Sequence, residues 1–314
     1  MTNKEKYIEF CKKEIEIPIF SQYWWLDVVC GKDNWDVALV EKGGHIMASM
    51  PYFFKKRAIF NIITMPRLTQ TMGAYIKYPI GQKYYKKLSF GKEMINELLS
   101  QLPKYDYFIQ NFDYSFTNWQ PFYWNGFKQT TAYTYVIENI SLENLEKEFE
   151  TDTRRRRRKA NNIGIKIVET KDIGKFYELN KLTYDRKNMN IPYNFYLVKN
   201  LFERSKENDS VKIFSATFED KIIASGFFVY DTQSVYYIMG GVDPDYKDLG
   251  AMDALLYEAI RFTIESNRRF DFEGSMVESI EKYFRSFGAK QKPMMQISRT
   301  NSKLLKIREL MQNW

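Results

Sequence analysis

The chain repeats itself, and that repetition constrains its fold more than any other feature. His45-Ile46-Met47-Ala48-Ser49-Met50-Pro51-Tyr52-Phe53-Phe54 resembles Ile222-Ile223-Ala224-Ser225-Gly226-Phe227-Phe228-Val229-Tyr230, and each follows an apolar run and a tight turn, Lys42-Gly43-Gly44 or Asp220-Lys221. Thr71-Met72-Gly73-Ala74-Tyr75 parallels Ile238-Met239-Gly240-Gly241-Val242, and Phe122-Tyr123-Trp124-Asn125-Gly126-Phe127-Lys128 parallels Phe284-Arg285-Ser286-Phe287-Gly288-Ala289-Lys290. Two short matches could arise by chance, whereas three in the same order predict two copies of one α/β unit, over residues 1–140 and 165–314.

The second copy shows its elements plainly. Lys212–Glu219, Ile222–Tyr230 and Ser234–Val242 are β-branched and aromatic runs between tight turns, which predicts an antiparallel meander. Helical spacing of Leu255, Leu256, Ala259 and Ile260 predicts a helix over Asp253–Glu265. A strand at Arg269–Glu273, a helix at Val277–Phe287 closed by Gly288, a strand near Met294–Ser298 and a terminal helix at Lys303–Gln312 follow.

Between the copies, Thr153 precedes the run Arg154-Arg155-Arg156-Arg157-Arg158-Lys159. Read as one helix from Ser141 to Asn162, acids come first and bases last, which complements the helix dipole, and Glu150–Arg154 and Asp152–Arg156 are spaced as i,i+4 pairs. A solvated helix explains most of the run. Yet Leu142, Leu145, Phe149, Thr153, Arg156 and Ala160 share one stripe, so Arg156 points inward. An inward guanidinium is either paired or faces a cleft as a phosphate or carboxylate ligand.

Composition excludes several chemistries. The 314 residues include one His and two Cys, too few for a zinc site, a His-based triad or a disulfide scaffold. No metal site is expected. Aromatic and aliphatic residues at 44% predict a folded chain, and a formal charge of +8 makes phosphate-bearing or acidic partners reasonable. The first twenty residues are broken by charges and no window approaches a membrane span, which predicts a cytoplasmic protein without a transmembrane segment.

The turn Val242-Asp243-Pro244-Asp245-Tyr246-Lys247-Asp248-Leu249-Gly250-Ala251-Met252 joins a strand to a helix start, where a glycine and free N–H groups suit a pyrophosphate. A meander running through such a turn into a helix, then a strand and a helix ending at Phe287-Gly288, resembles the GNAT superfamily of acyl-CoA-dependent N-acyltransferases. The family's donor loop, Arg/Gln-x-x-Gly-x-Gly/Ala, is similar to Lys247-x-x-Gly250-x-Met252, with Met252 in place of a small residue. A narrower resemblance spans nearly the whole chain. Arg154–Gly164, Phe176–Arg186, Phe270–Ser275 and Tyr283–Gly288, together with Phe20–Trp25 and Pro66–Gln70, are similar to bacterial members of the tandem-GNAT group that includes Fem-type peptidoglycan aminoacyltransferases.

The resemblance implies a mixed α/β (α+β) fold of two tandem GNAT-like domains, each a mostly antiparallel mixed sheet flanked by helices. Residues 1–140 would be a degenerate domain, 141–164 a basic connecting helix and 165–314 the donor-binding domain. The implied activity is N-acyl transfer from an acyl-CoA-type thioester, acetyl-CoA being the co-substrate and no cofactor permanently bound, to an amine acceptor held between the domains. That acceptor is a small molecule or a cell-wall precursor. Two alternatives stand beside it: a Fem-type aminoacyltransferase using aminoacyl-tRNA and a cell-wall precursor, and an inactive binding module. No groove-reading motif is present, so DNA is not an expected partner.

Donor binding then falls to Val242, Lys247, Leu249, Gly250, Ala251 and Met252. For a general base the candidates are Asp271 and Glu273, which point the same way in a regular strand. The family's leaving-group acid, a Tyr four residues before the turn glycine, is Phe284 here, with Tyr283 beside it as the substitute. Acceptor recognition falls to Arg156, Tyr237 and the segment carrying Thr183, Tyr184 and Arg186, similar to the relatives' T-x-x-R pattern.

Overall fold

The computed structural model describes residues 1–312, with side chains through residue 308. Its contacts divide the chain into two compact units, one of Met1–Ala132 together with the segment from Pro293 onward, the other of Tyr133–Lys292. Among the described residues no helix is long and apolar enough to cross a membrane.

The first unit opens with helices α1 (Asn3–Cys11) and α2 (Tyr23–Val29), α1 being started by a capping box between Thr2 and Glu5. Strands β1 (Trp35–Lys42) and β2 (His45–Arg57) form the expected hairpin, its turn made by Gly43 and Gly44 at φ 58° and 78°. Strand β3 (Phe60–Thr64) pairs antiparallel with β2, and the two-residue β4 (Tyr75–Ile76) pairs with the other half of β2. Helix α3 (Tyr84–Ser100) leads to β5 (Tyr107–Phe112), parallel to β3, and to the short α4 (Gln120–Trp124). Strand β1 is buried on both faces: Ala38 and Val40 pack with Met94, Ile95 and Leu98 of α3, while Val37 and Leu39 pack with Tyr7 and Leu26.

The second unit contains β6 (Lys128–Ile137), α5 (Leu142–Glu148), α6 (Thr151–Asn162), β7 (Lys166–Thr170), α7 (Ile173–Asp185) and α8 (Phe195–Glu207). Then come β8 (Val211–Phe218), β9 (Lys221–Tyr230), β10 (Ser234–Val242), α9 (Ala251–Glu265), β11 (Arg269–Asp271) and α10 (Glu278–Arg285). The strand order is β7-β8-β9-β10-β11-β6, antiparallel except for β10 with β11. Helix α9 buries Leu255, Leu256, Ala259 and Ile260 against Phe228, Val235 and Phe270. Each such fully buried Leu or Ile contributes about 1.5–3 kcal/mol relative to exposure. The chain then continues through β12 (Lys290–Thr300), whose Met295–Thr300 pair antiparallel with β5, and α11 (Lys303–Gln312).

The structure refines several local expectations. The compact units place Val136 and Ile137 beside β11 in the second and Met295–Thr300 beside β5 in the first. Thr71–Tyr75 reproduces only the end of β10: Tyr75 opens β4 and pairs with Ser49 of β2 as Gly241 pairs with Ser225 of β9, while Met72 makes an isolated bridge to Phe112 and β3 supplies the longer third strand. The single helix over Ser141–Asn162 is two, broken where Phe149 and Glu150 adopt extended backbone. Strand β11 stops at Asp271, two residues short of Glu273.

Candidate functional site

The site is built where β10 outruns its parallel neighbour. β10 and β11 pair only over Ser234–Tyr236 with Arg269–Asp271, and the register of β10 against β9 shifts between Tyr237 and Met239. Such a shift bends a strand and re-aims its side chains. Tyr237 stacks on Phe228 at 5.3 Å between ring centres, and its hydroxyl reaches to 3.8 Å from Sδ of Met252. A Cβ at Gly240 would clash with that hydroxyl, and one at Gly241 with the backbone of Leu179 in α7. Both glycines thus make room for this protein's own atoms.

The expected donor loop is likewise occupied. Asp243 caps a turn of 3-10 helix over Pro244–Leu249, accepting from the Asp245 N–H at 3.1 Å, and Gly250 then turns left-handed at φ 79° into α9. The space beside Gly250 is filled by α6: a Cβ there would run into the carbonyl oxygen of Arg156. Lys159 adds a hydrogen bond to the Asp248 carbonyl at 2.9 Å. Ala251 is buried with Ala160 of α6 and Ala254, and Val242, Leu249 and Met252 pack against that cluster. Of the six residues expected to bind donor, only Lys247 is exposed.

Arg156 turns inward onto Asp253 in the first turn of α9. Its Nε and Nη2 stand 3.0 and 2.9 Å from Oδ1, and Nη2 also donates to Oγ1 of Thr153 at 3.1 Å. Thr153 continues the chain to Oγ of Ser286 at 2.8 Å, and Ser286 donates to the Tyr283 carbonyl at 2.7 Å. The i,i+4 pairings expected on this helix give way to Asp152–Arg155 at 3.2 Å and Arg156–Asp253. Burial pushes the Asp253 carboxyl up, and the Arg156 hydrogen bond and charge pull it back only in part. Burial, then the Asp253 charge, then Tyr237 hold the Tyr283 hydroxyl well above its ordinary value, and burial does the same for Tyr237. Both phenols are proton donors at neutral pH.

Sequence reasoning missed Asp253. Its signal was a carboxylate on the buried stripe of an otherwise apolar helix face, in step with Leu256 and Ile260. The outer face of α6 is the converse: Arg154, Arg155, Arg158, Lys159 and Asn162 line an open concavity of about 580 Å³. Arg157 stacks on Tyr257 at 3.6 Å and pairs with Glu146.

Asp271 and Glu273 do not share a strand face. The Asp271 carboxylate is buried, accepting from Thr134 Oγ1 and, at 2.9 Å, from the Glu273 N–H. Glu273 is left-handed at φ 64° and Gly274 at 71°. Asp271 therefore fixes a turn that re-aims Glu273. In α7, Tyr184 lies 3.5 Å from the Tyr193 hydroxyl, which donates to Asn180 at 2.8 Å, and Asn180 donates to the Gly240 carbonyl at 2.9 Å. That polar chain ties the α7 segment to β10. Thr183 is half-buried and Arg186 is an exposed helix cap.

A meander, a strand-to-helix loop, a parallel strand and a further helix make the second unit an acyltransferase fold of the GNAT class. Residues 147–285, most of the second unit, match the family model described as Acetyltransferase (GNAT) domain. The crystal structure of FemX is similar over 94% of this chain and 96% of that one, at 12% identity and a TM-score of 0.72. L-PGS from Bacillus licheniformis is similar over 99% and 96%, at 11% identity and 0.56. A conserved protein of unknown function from Bacteroides thetaiotaomicron is similar over 96% and 98%, at 11% identity and 0.57. At these identities the likeness concerns the fold. No curated protein matches the chain by sequence.

Proposed function

We propose that this chain transfers an aminoacyl group from an ester donor carried on tRNA to an amine acceptor. The observation that carries this choice over a coenzyme A thioester is the backbone of Arg156 seated against Gly250, which takes the space where a pyrophosphate would meet the loop. The basic outer face of α6, beside that loop through the Lys159–Asp248 contact, supplies cations for RNA phosphates instead. The similarity in fold to FemX and L-PGS agrees with this reading.

The chemistry needs a deprotonated amine, a stabilised oxyanion and a proton for the leaving oxygen. The Tyr283 hydroxyl, kept protonated by burial and by Asp253, is the donor to the leaving group. Arg156 and Asp253 act as positioning residues for it, linking α6, α9 and α10. Asp271 is held by Thr134 and the Glu273 N–H, so the base is assigned to Glu273. Tyr184, with Thr183 and Arg186 in the same helix end, and Tyr237 are assigned to the acceptor side.

Filter binding of uncharged tRNA at several salt concentrations tests the donor assignment. Binding should weaken steeply with salt, and Arg155→Gln with Arg158→Gln should lower the slope of log K against log salt by about 2. Binding insensitive to both changes would remove α6 from the donor site. The coenzyme A alternative keeps one supporting observation, the exposed Lys247 at the loop's basic position. It requires α6 to leave Gly250.

A further inference from the structure

We propose that the first unit carries a docking surface for anionic lipid membranes, formed by the segment Lys77–Lys92 and the end of α4. Lys77-Tyr78-Pro79-Ile80-Gly81-Gln82-Lys83-Tyr84-Tyr85-Lys86-Lys87-Leu88-Ser89-Phe90-Gly91-Lys92 holds five lysines and no acid, and of the five Lys77 is ion-paired with Glu14. The next carboxylate, Glu93, is turned onto Lys42 at 3.0 Å. Charge complementarity therefore points to an anionic surface.

Two structural observations single out this segment from an ordinary solvated helix. Lys83 is the N-cap of α3 and Lys86 and Lys87 lie in its first turn, with no acidic residue there. Cations at a helix N-terminus oppose the dipole, so the local sequence works against the isolated helix and in favour of a bound anion. Large apolar and aromatic side chains also stand out in solvent among those lysines. Ile80 is fully exposed and Tyr84 is 76% exposed, with Tyr85 beside them.

The surface continues onto α4. Nζ of Lys92 lies 4.8 Å from the ring centre of Trp124, and Trp124 and Tyr123 are both exposed. Nζ of Lys87 lies 4.5 Å from the Tyr78 ring, which anchors the loop to α3. Tyr and Trp suit the headgroup level of a bilayer, and lysine stems reach past apolar surface to keep their charge among phosphates. The apolar groups protrude singly from a loop tip and a helix end. A fluid bilayer accepts such a profile without the shape complementarity that a folded acidic partner would need. The inference does not depend on which acyl donor the second unit uses.

Sedimentation of the full chain with lipid vesicles tests it. Vesicles of phosphatidylcholine mixed equally with phosphatidylglycerol should bind the protein, and vesicles of phosphatidylcholine alone should not. Neutralising three lysines in K83Q/K86Q/K87Q should lower the partition coefficient roughly a hundredfold. A second variant, I80S/Y84S/Y85S, keeps the charge and should still weaken binding. All six positions are exposed, so circular dichroism should confirm an unchanged fold. The variant R155Q/R158Q should bind vesicles as the parent does. Equal binding to neutral vesicles, binding unaffected by the lysine changes, or binding lost only in R155Q/R158Q would overturn the proposal. So would capture of polyglutamate by these lysines without any vesicle binding, which would assign the surface to an acidic protein.

Discussion

Arg156 and Asp253 form a two-nitrogen contact, Nε at 3.0 Å and Nη2 at 2.9 Å from one carboxylate oxygen, that ties the basic helix α6 to the first turn of α9. The carboxylate is buried while the guanidinium is 37% exposed, so the pair is asymmetric. Arg156→Met strands a buried charge and should destabilise the fold by about 1–3 kcal/mol, the full buried-pair cost being discounted for solvent screening. The double variant Arg156→Met/Asp253→Leu should be milder than Arg156→Met alone. Urea denaturation measures both, and a neutral Arg156→Met would free that side chain for a ligand role.

The pH dependence of stability should carry the Asp253 signature. Because burial raises this carboxyl above its unfolded value, the folded state holds the proton more tightly than the unfolded chain does. The stability tied to that proton is fully present below the unfolded pKa and is lost as pH rises through the folded value. Denaturation curves of the parent and Asp253→Asn across the acidic range should differ by that falling component, and parallel curves would refute it.

Gly250 should behave as a packing residue, because a side chain there meets both a left-handed φ of 79° and the Arg156 carbonyl. Gly250→Ala should cost about 2–4 kcal/mol, combining the left-handed penalty with overpacking. Gly164, left-handed at φ 86° with open space around it, provides the contrast. Gly164→Ala should cost only about 1–2 kcal/mol. Thermal unfolding of the two variants decides whether the helix contact at Gly250 exists in solution. A bulky substitution at Gly250 therefore cannot serve as a donor-binding test that leaves the fold intact.

If Tyr283 protonates the leaving oxygen, Tyr283→Phe should lower kcat by about 10²–10⁴-fold with little change in KM. The alkaline limb of the pH–rate profile should disappear with it. A variant that keeps its rate would return the step to water. Phe284 offers no substitute, being buried and stacked 4.8 Å from Phe272.

The two cysteines should be silent in the native protein. Burial pushes the Cys11 thiol up to about 12 and raises Cys30 as well. Neither should react with a thiol reagent at neutral pH until urea unfolds the chain, whereas rapid native labelling would contradict their burial.

Much of the fold was legible because it is local. The Gly43-Gly44 hairpin, the meander from Val211 to Val242 and the helix carrying Leu255, Leu256 and Ile260 each announce themselves by period and turn chemistry. What escaped is decided at a distance. A strand's alternation does not say which neighbour it will pair with, so the placement of Val136–Ile137 beside β11 and Met295–Thr300 beside β5 had no local signature. The inward turn of Arg156 was readable from its stripe, but not its partner Asp253, ninety-seven positions away. Gly250 invited a ligand in sequence, yet its neighbour is α6. Asp271 and Glu273 were joined by an assumed regular strand that the left-handed Glu273 breaks.

The most direct test of donor choice is a calorimetric titration of the purified chain, run in parallel with acetyl-CoA, coenzyme A and tRNA at low and high salt. Saturable, salt-sensitive binding of tRNA is expected, with no heat of binding from acetyl-CoA or coenzyme A. Saturable acetyl-CoA binding that Lys247→Ala weakens, with tRNA inert at both salt concentrations, would contradict it.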